Sequence, residues 1–168
     1  MYKIMDKKKL SLISFFTFFV DFISKRLIVN NFIYNVRVTI IKRVLYINYV
    51  KNKGVAFSFL SGNVLFIIIV TLFVFYIIYN YLKNRKLREI ELWGYGLVIG
   101  GALGNLFDRV IYGYVIDFID IYIINYDFPV FNVADCGIVI GILLIIIDSI
   151  MNESSDKDDN KGRRKGKN

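Results

Sequence analysis

The sequence predicts a membrane all-α protein with four transmembrane helices and a small extracytoplasmic β-sheet after the first helix. Two observations carry this. The chain is 56% hydrophobic with a mean hydropathy of +0.51 and a single proline, too apolar for a soluble globular domain. Its charged residues, 21% of the total, gather in clusters between long apolar runs, as loops between membrane spans do. A length of 168 residues is one domain's worth of chain.

Residues 1–9 carry Lys3, Lys7, Lys8 and Lys9 against Asp6, and an apolar run begins at Leu10. A basic start before an apolar stretch resembles a signal peptide. No small-residue cleavage site follows, and Asp21, Lys25 and Arg26 come instead. The stretch 10–30 therefore reads as a retained first span, of the roughly 20 residues that a bilayer core of about 30 Å requires. Asp21 and Lys25 are four apart, so they share a helix face and can pair, although a polar end reaching back to the interface explains them as well.

Residues 36–50 are rich in Val, Ile, Thr and Tyr and have no helical period, which predicts strands on the membrane surface. Asn52 and Gly54 mark a turn after them. Val64–Leu82 is an uncharged second span with Tyr76, Tyr79 and Tyr81 as an interfacial belt. A mostly basic connector at 83–91 leads to a third span at 92–107. There Gly96, Gly100 and Gly104 mark one close-approach face, for a neighbouring helix or for substrate. A fourth span covers 132–151, and the polar tail 152–168 reads as disordered and outside the membrane domain of residues 1–151.

Four spans put both termini on one side. The N-terminal segment, the 83–91 connector and the tail hold most of the basic residues, so that side is expected to be cytoplasmic. Arg37, Lys42, Arg43, Lys51 and Lys53 in the first loop run against that count. Because the basic residues flank apolar runs, lipid headgroups rather than nucleic acid are their expected partners.

The chain has no histidine, which excludes Ser-His-Asp and Cys-His catalysis and the usual imidazole-based metal sites. Its one cysteine, Cys136, reads as a small buried residue. What the composition leaves is carboxylate chemistry, which needs neither metal nor cofactor. Asp108, Asp117 and Asp135, with Asn105, Arg109 and Asn132, lie among apolar runs where charge is costly and is kept for function. Two adjacent carboxylates share one proton, so one can accept a proton from water while the other hydrogen-bonds a scissile carbonyl. Asn132 is a good N-cap, and Asp135 would sit in the first turn of the fourth helix, where the dipole favours a carboxylate. Asp117 lies between Ile116 and Phe118, where desolvation favours the neutral acid. Asp108 and Arg109 read as a supporting ion pair at a helix end. A proton or cation relay in a small transporter or channel subunit, and an assembly protein whose polar residues hold helices together, stay open from these residues alone.

These residues resemble the lipoprotein signal peptidases, or type II signal peptidases, which are bacterial inner-membrane aspartyl proteases. Gly104-Asn105, Asp108-Arg109, Gly113, Val115 and Asp117-Phe118 follow the family block GN-x-x-DR-x-x-x-G-x-V-x-DF. Phe131-Asn132, Ala134-Asp135, Ile138 and Gly141 follow FN-x-AD-x-x-I-x-x-G, after Phe128-Pro129. Residues 52–58 match a further block, with Val55 where alanine is usual. Asp21 and Lys25 match the first-helix D-x-x-x-K, with Phe22 in place of a common glutamine. The resemblance implies Asp117 and Asp135 as catalytic dyad and Asn52, Gly54, Asn105, Arg109 and Asn132 as substrate-binding positions. Asp21, Lys25 and Asp108 would support them. It implies no cofactor, a monomer, and a prolipoprotein substrate with a diacylglyceryl-modified cysteine, cut just before that cysteine at the extracytoplasmic face.

Overall fold

The computed structural model describes residues 7–54, 63–124 and 126–165, so the predicted block at 55–58 lies outside the described residues. The elements are α1 (Lys7–Asn31), β1 (Arg37–Ile41), β2 (Leu45–Asn52), α2 (Val64–Leu82), α3 (Glu89–Tyr112), β3 (Val115–Ile123), β4 (Tyr126–Asp127) and α4 (Val133–Lys165). Three of the four helices, α2, α3 and the Val133–Asn152 part of α4, are long and apolar enough to cross a membrane. α1 is not one of them, because Asp21, Lys25 and Arg26 interrupt its apolar length. The helices turn large side chains outward, with Phe16 68% and Leu65 67% exposed, and a protein with such a surface is embedded in lipid.

The four described strands form one antiparallel sheet in the order β1-β2-β3-β4. The stretch 36–50 supplies β1 and β2, as its β-branched and aromatic content predicts. The other half of the sheet corrects the expectation of a sheet built only from the first loop. β3 comes from between α3 and α4, with nine residues (VIDFIDIYI) that pack well on a pleated surface. Gly113 makes the join. It caps α3 at φ +73°, donating its N–H to the Arg109 carbonyl at 3.0 Å, and a left-handed position of that kind strains any side chain. Arg37 then ties the sheet laterally, with Nε and Nη2 on the two oxygens of buried Asp120 at 2.7 and 2.6 Å and Nη2 on Asp127 at 2.7 Å. One of the five basic residues of the first loop is thereby neutralised.

α3 is the hub, and glycine lets it be. A Cβ at Gly100 would strike the Ser14 carbonyl of α1, and one at Gly104 the Asp21 carboxylate. On the adjacent face Gly94 approaches the Gly141 carbonyl of α4, where a Cβ would come within 2.9 Å, and Gly101 approaches Ala134. The Gly96–Gly100–Gly104 face is thus occupied by α1, which assigns it to helix packing. Gly104→Ala is expected to lower stability by about 1–3 kcal/mol through overpacking, read as a lower melting temperature in detergent. α2 stands further off, with only Ile67 and Leu82 buried.

The backbone of α4 continues as helix from 152 to Lys165, where the composition predicts a disordered tail. Propagation from a helix already nucleated costs little per residue, so a polar continuation follows.

Candidate active site

The site forms where β3, the last turns of α1 and α3, and the first turn of α4 converge. Its floor is a buried ion cluster. Lys25 Nζ lies 2.8 Å from Asp21 Oδ2 and 3.0 Å from Asp108 Oδ2, and donates to Asn105 Oδ1 at 3.0 Å. The buried ammonium is thereby paired with two carboxylates and hydrogen-bonded to one amide, as burial of a charge demands. Asp21 and Lys25 pair as their spacing predicts, and their burial rules out a polar end reaching back to the interface. Asp108 corrects the expectation of a pair with Arg109. Consecutive helix residues point about 100° apart, so Asp108 turns inward to Lys25 and accepts the Ile116 N–H at 3.1 Å. Arg109 turns to the cavity described below, its Nη1 donating to the Asn105 carbonyl at 3.3 Å.

On this floor stand Asp117 and Asp135. Val50 pairs with Asp117 across β2 and β3, so Asn52, two residues on, is a diagonal neighbour on the same face. Its Nδ2 donates to Asp117 Oδ2 at 2.8 Å, while its Oδ1 accepts the Gly54 N–H at 2.9 Å. The Phe131 carbonyl accepts the N–H groups of Phe118 and Ile119 at 3.0 and 2.7 Å, which brings the start of α4 alongside β3. Asn132 then reaches both aspartates. Its Nδ2 donates to Asp117 Oδ1 at 2.6 Å. Its Oδ1 accepts the Asp135 N–H at 3.0 Å, and its own N–H donates to Asp135 Oδ2 at 3.1 Å. This reciprocal cap closes two orphan donors at the helix start. A third goes to α1, where Asp21 Oδ1 accepts the Ala134 N–H at 2.9 Å.

Asn105 completes the frame. Its Oδ1 accepts from Lys25 and from Asn132 Nδ2 (3.1 Å), which orients its own Nδ2 toward Asp135 Oδ1 at 2.8 Å. Each oxygen of each aspartate thus has one donor, and hydrogen bonding does not divide the pair. Burial does. Asp117 is 1% exposed, and desolvation pushes it up to about 7. The negative charge of Asp135 adds to that rise, against the donors Asn52 and Asn132 and the charge of Lys25. Asp135 is half-buried and faces a cavity of about 350 Å³ between α2, α3 and α4. Asn105 and Arg109 line the cavity with it, and Phe66, Ile67 and Val70 of α2 form an apolar wall. Other apolar grooves lie along the helices, away from the carboxylates. One of them exposes Cys136, which is half-buried rather than buried.

The structure thus brings together Asn52, Gly54, Asn105, Asp117, Asn132 and Asp135 in one hydrogen-bonded frame over the Asp21–Lys25–Asp108 cluster. Sequence reasoning missed the backbone N–H groups of Ile116 and Ala134 as parts of it, and missed the strand under Asp117. A run of Val, Ile, Phe and Tyr directly after Gly113 was the available signal for that strand.

A family model described as signal peptidase (SPase) II matches residues 13–151. Among solved structures, one described as a bacterial membrane enzyme, obtained by the in meso method at 2.3 Å, is similar at 34% identity and a TM-score of 0.82. The match covers 94% of this chain and 96% of that one. A second structure of the same description, at 1.9 Å, is similar at 35% identity and a TM-score of 0.78, covering 88% and 96%. A match over most of the chain, with relatives that share its fold almost end to end, makes this a protease rather than a relay or an assembly factor. The chain belongs to the signal peptidase II family, whose activity is the removal of signal peptides from lipoproteins.

Proposed function

We propose that this chain is an aspartyl endopeptidase that hydrolyses diacylglyceryl-modified prolipoproteins just before the lipidated cysteine, with Asp117 and Asp135 as its catalytic pair. The observation that carries the reading is the bridge between two carboxylates by Asn132 and Asn105 at the edge of a half-apolar cavity. The buried aspartate holds the proton and donates to the scissile carbonyl oxygen. Asp135, facing the cavity, takes a proton from water as its oxygen bonds to the carbonyl carbon. The tetrahedral diol then collapses: the C–N bond breaks, the proton held by Asp135 goes to the leaving nitrogen, and ionised Asp117 takes back a proton from one diol hydroxyl as that oxygen becomes the new carbonyl. The products are a signal peptide with a free carboxylate and a lipoprotein with an N-terminal diacylglyceryl-cysteine. Arg109, Asn105 and Asn132 contact the substrate backbone, and Asn52 and Gly54 border its path.

α1 serves as the fourth span. Its charged residues Asp21 and Lys25 face inward, while Leu12, Phe15, Phe16, Phe19 and Leu27 face outward. Four spans with a basic N-terminus, connector and tail put both termini in the cytoplasm of a bacterial cell and the sheet outside. The enzyme acts as a monomer, a reading supported by a hydrogen-bonded frame drawn from one chain.

The test is incubation of purified chain with a lipidated prolipoprotein and with the same precursor lacking the lipid. The lipidated precursor is expected to yield a product whose mass begins at the modified cysteine. Cleavage of both at equal rates, or at another bond, contradicts the substrate assignment.

A further inference from the structure

A second arrangement of polar and aromatic groups lies where the last turns of α1 and α3 meet the sheet. The Arg26 guanidinium carbon sits 5.2 Å from the ring centre of Phe22 and 5.1 Å from that of Tyr112. The Tyr112 ring lies 5.9 Å from Tyr114, and Lys51 Nζ is 5.1 Å from Tyr114 and 5.0 Å from Tyr34. Two cations are therefore each held between two rings, and the rings themselves are in contact. Lys25 and Arg37 have carboxylates close by. Among the described residues, Arg26 and Lys51 have none. The segment 27–54 contains no Asp or Glu at all.

Aromatic side chains of this kind settle at the headgroup level of a bilayer. A cation resting on a ring face keeps its other N–H donors free to turn outward. Lys51 and Tyr34 are exposed and Arg26 is half-buried, so the donors reach the protein surface beside the end of α1. We infer that Arg26 and Lys51, carried on Phe22, Tyr112, Tyr114 and Tyr34, bind the phosphate of an anionic bilayer phospholipid. Arginine supplies the forked donor set that phosphate favours, and lysine supplies the second charge. The diacylglyceryl group of the proposed substrate has no phosphate, so this ligand is a lipid of the bilayer and the site is separate from the catalytic one. It also gives a role to Lys51, one of the basic residues in the loop after α1.

The test uses the full chain in nanodiscs of phosphatidylcholine with increasing phosphatidylglycerol, read by thermal unfolding. The wild type is expected to melt at higher temperature as phosphatidylglycerol is added, with saturation. Each basic residue at an anionic surface strengthens binding roughly fivefold, so Lys51→Gln weakens the response about that much and Arg26→Gln/Lys51→Gln removes it. Lys51 is exposed, so the single variant remains informative if the double variant folds poorly. Lys42→Gln/Arg43→Gln removes equal charge from the β1–β2 turn and is expected to respond as wild type. A normal response in the Lys51→Gln variant, or its loss in the turn variant, overturns the site. Inorganic phosphate reproducing the shift in phosphatidylcholine alone overturns the lipid as its ligand.

Discussion

Asp117→Asn and Asp135→Asn are each expected to lower signal-peptide release by roughly 10²–10⁴-fold, the span usual for loss of a positioned general acid or base. Asparagine keeps the size and one of the two hydrogen bonds that each carboxylate accepts, so the larger part of the loss reflects the missing proton chemistry. The stability of the Asp117→Asn variant guards against a trivial explanation. Burial raises Asp117 from 3.8 to about 7 in the folded protein. The folded state therefore keeps a proton that the unfolded chain gives up near the ordinary carboxylate value. Its contribution to stability is full below that value and is lost as pH rises through about 7. Asp117→Asn should accordingly melt higher than wild type in mildly alkaline buffer while being inactive. An inactive variant that is also less stable there would point to damage of the frame.

Lys25→Met is expected to be the most destabilising single change. Removing one partner from a buried ion cluster leaves the others uncompensated, at a cost of about 3–5 kcal/mol. Here two carboxylates, Asp21 and Asp108, are left without their shared cation, and Asn105 loses one of the two donors that orient its amide toward Asp135. Thermal unfolding in detergent measures the effect. Asp21→Asn in the Lys25→Met background removes one of the two stranded charges and is expected to restore part of the loss. A Lys25→Met protein that melts like wild type would remove the cluster from the account of the fold.

Much of this was readable from the chain because membranes impose simple rules. Long apolar runs could only be helices, and the absence of histidine left carboxylates as the acid–base groups. The α1 pair was readable from its four-residue spacing. What could not be read was pairing across distant segments. Nothing local says that Asp108 meets Lys25 rather than adjacent Arg109, since the choice depends on which face of α3 the glycines press against α1. The strand under Asp117 was hidden for a related reason. A run buried on both faces lacks the period-two alternation that marks a half-exposed strand. The direction in which Asp117 titrates was legible from its apolar neighbours, but its bridge to Asp135 through Asn132 needed the fold.

The central claim is that two coupled carboxylates sharing one proton carry out the hydrolysis, and the pH dependence of kcat/KM on the lipidated precursor addresses it most directly. Release of signal peptide is expected to fall as pH rises through about 7, where Asp117 loses the proton it must donate. Because the pair titrates as a unit, the limb belongs to the dyad as a whole. A rate that stays level or climbs through that pH, in wild-type protein that remains folded, contradicts the mechanism.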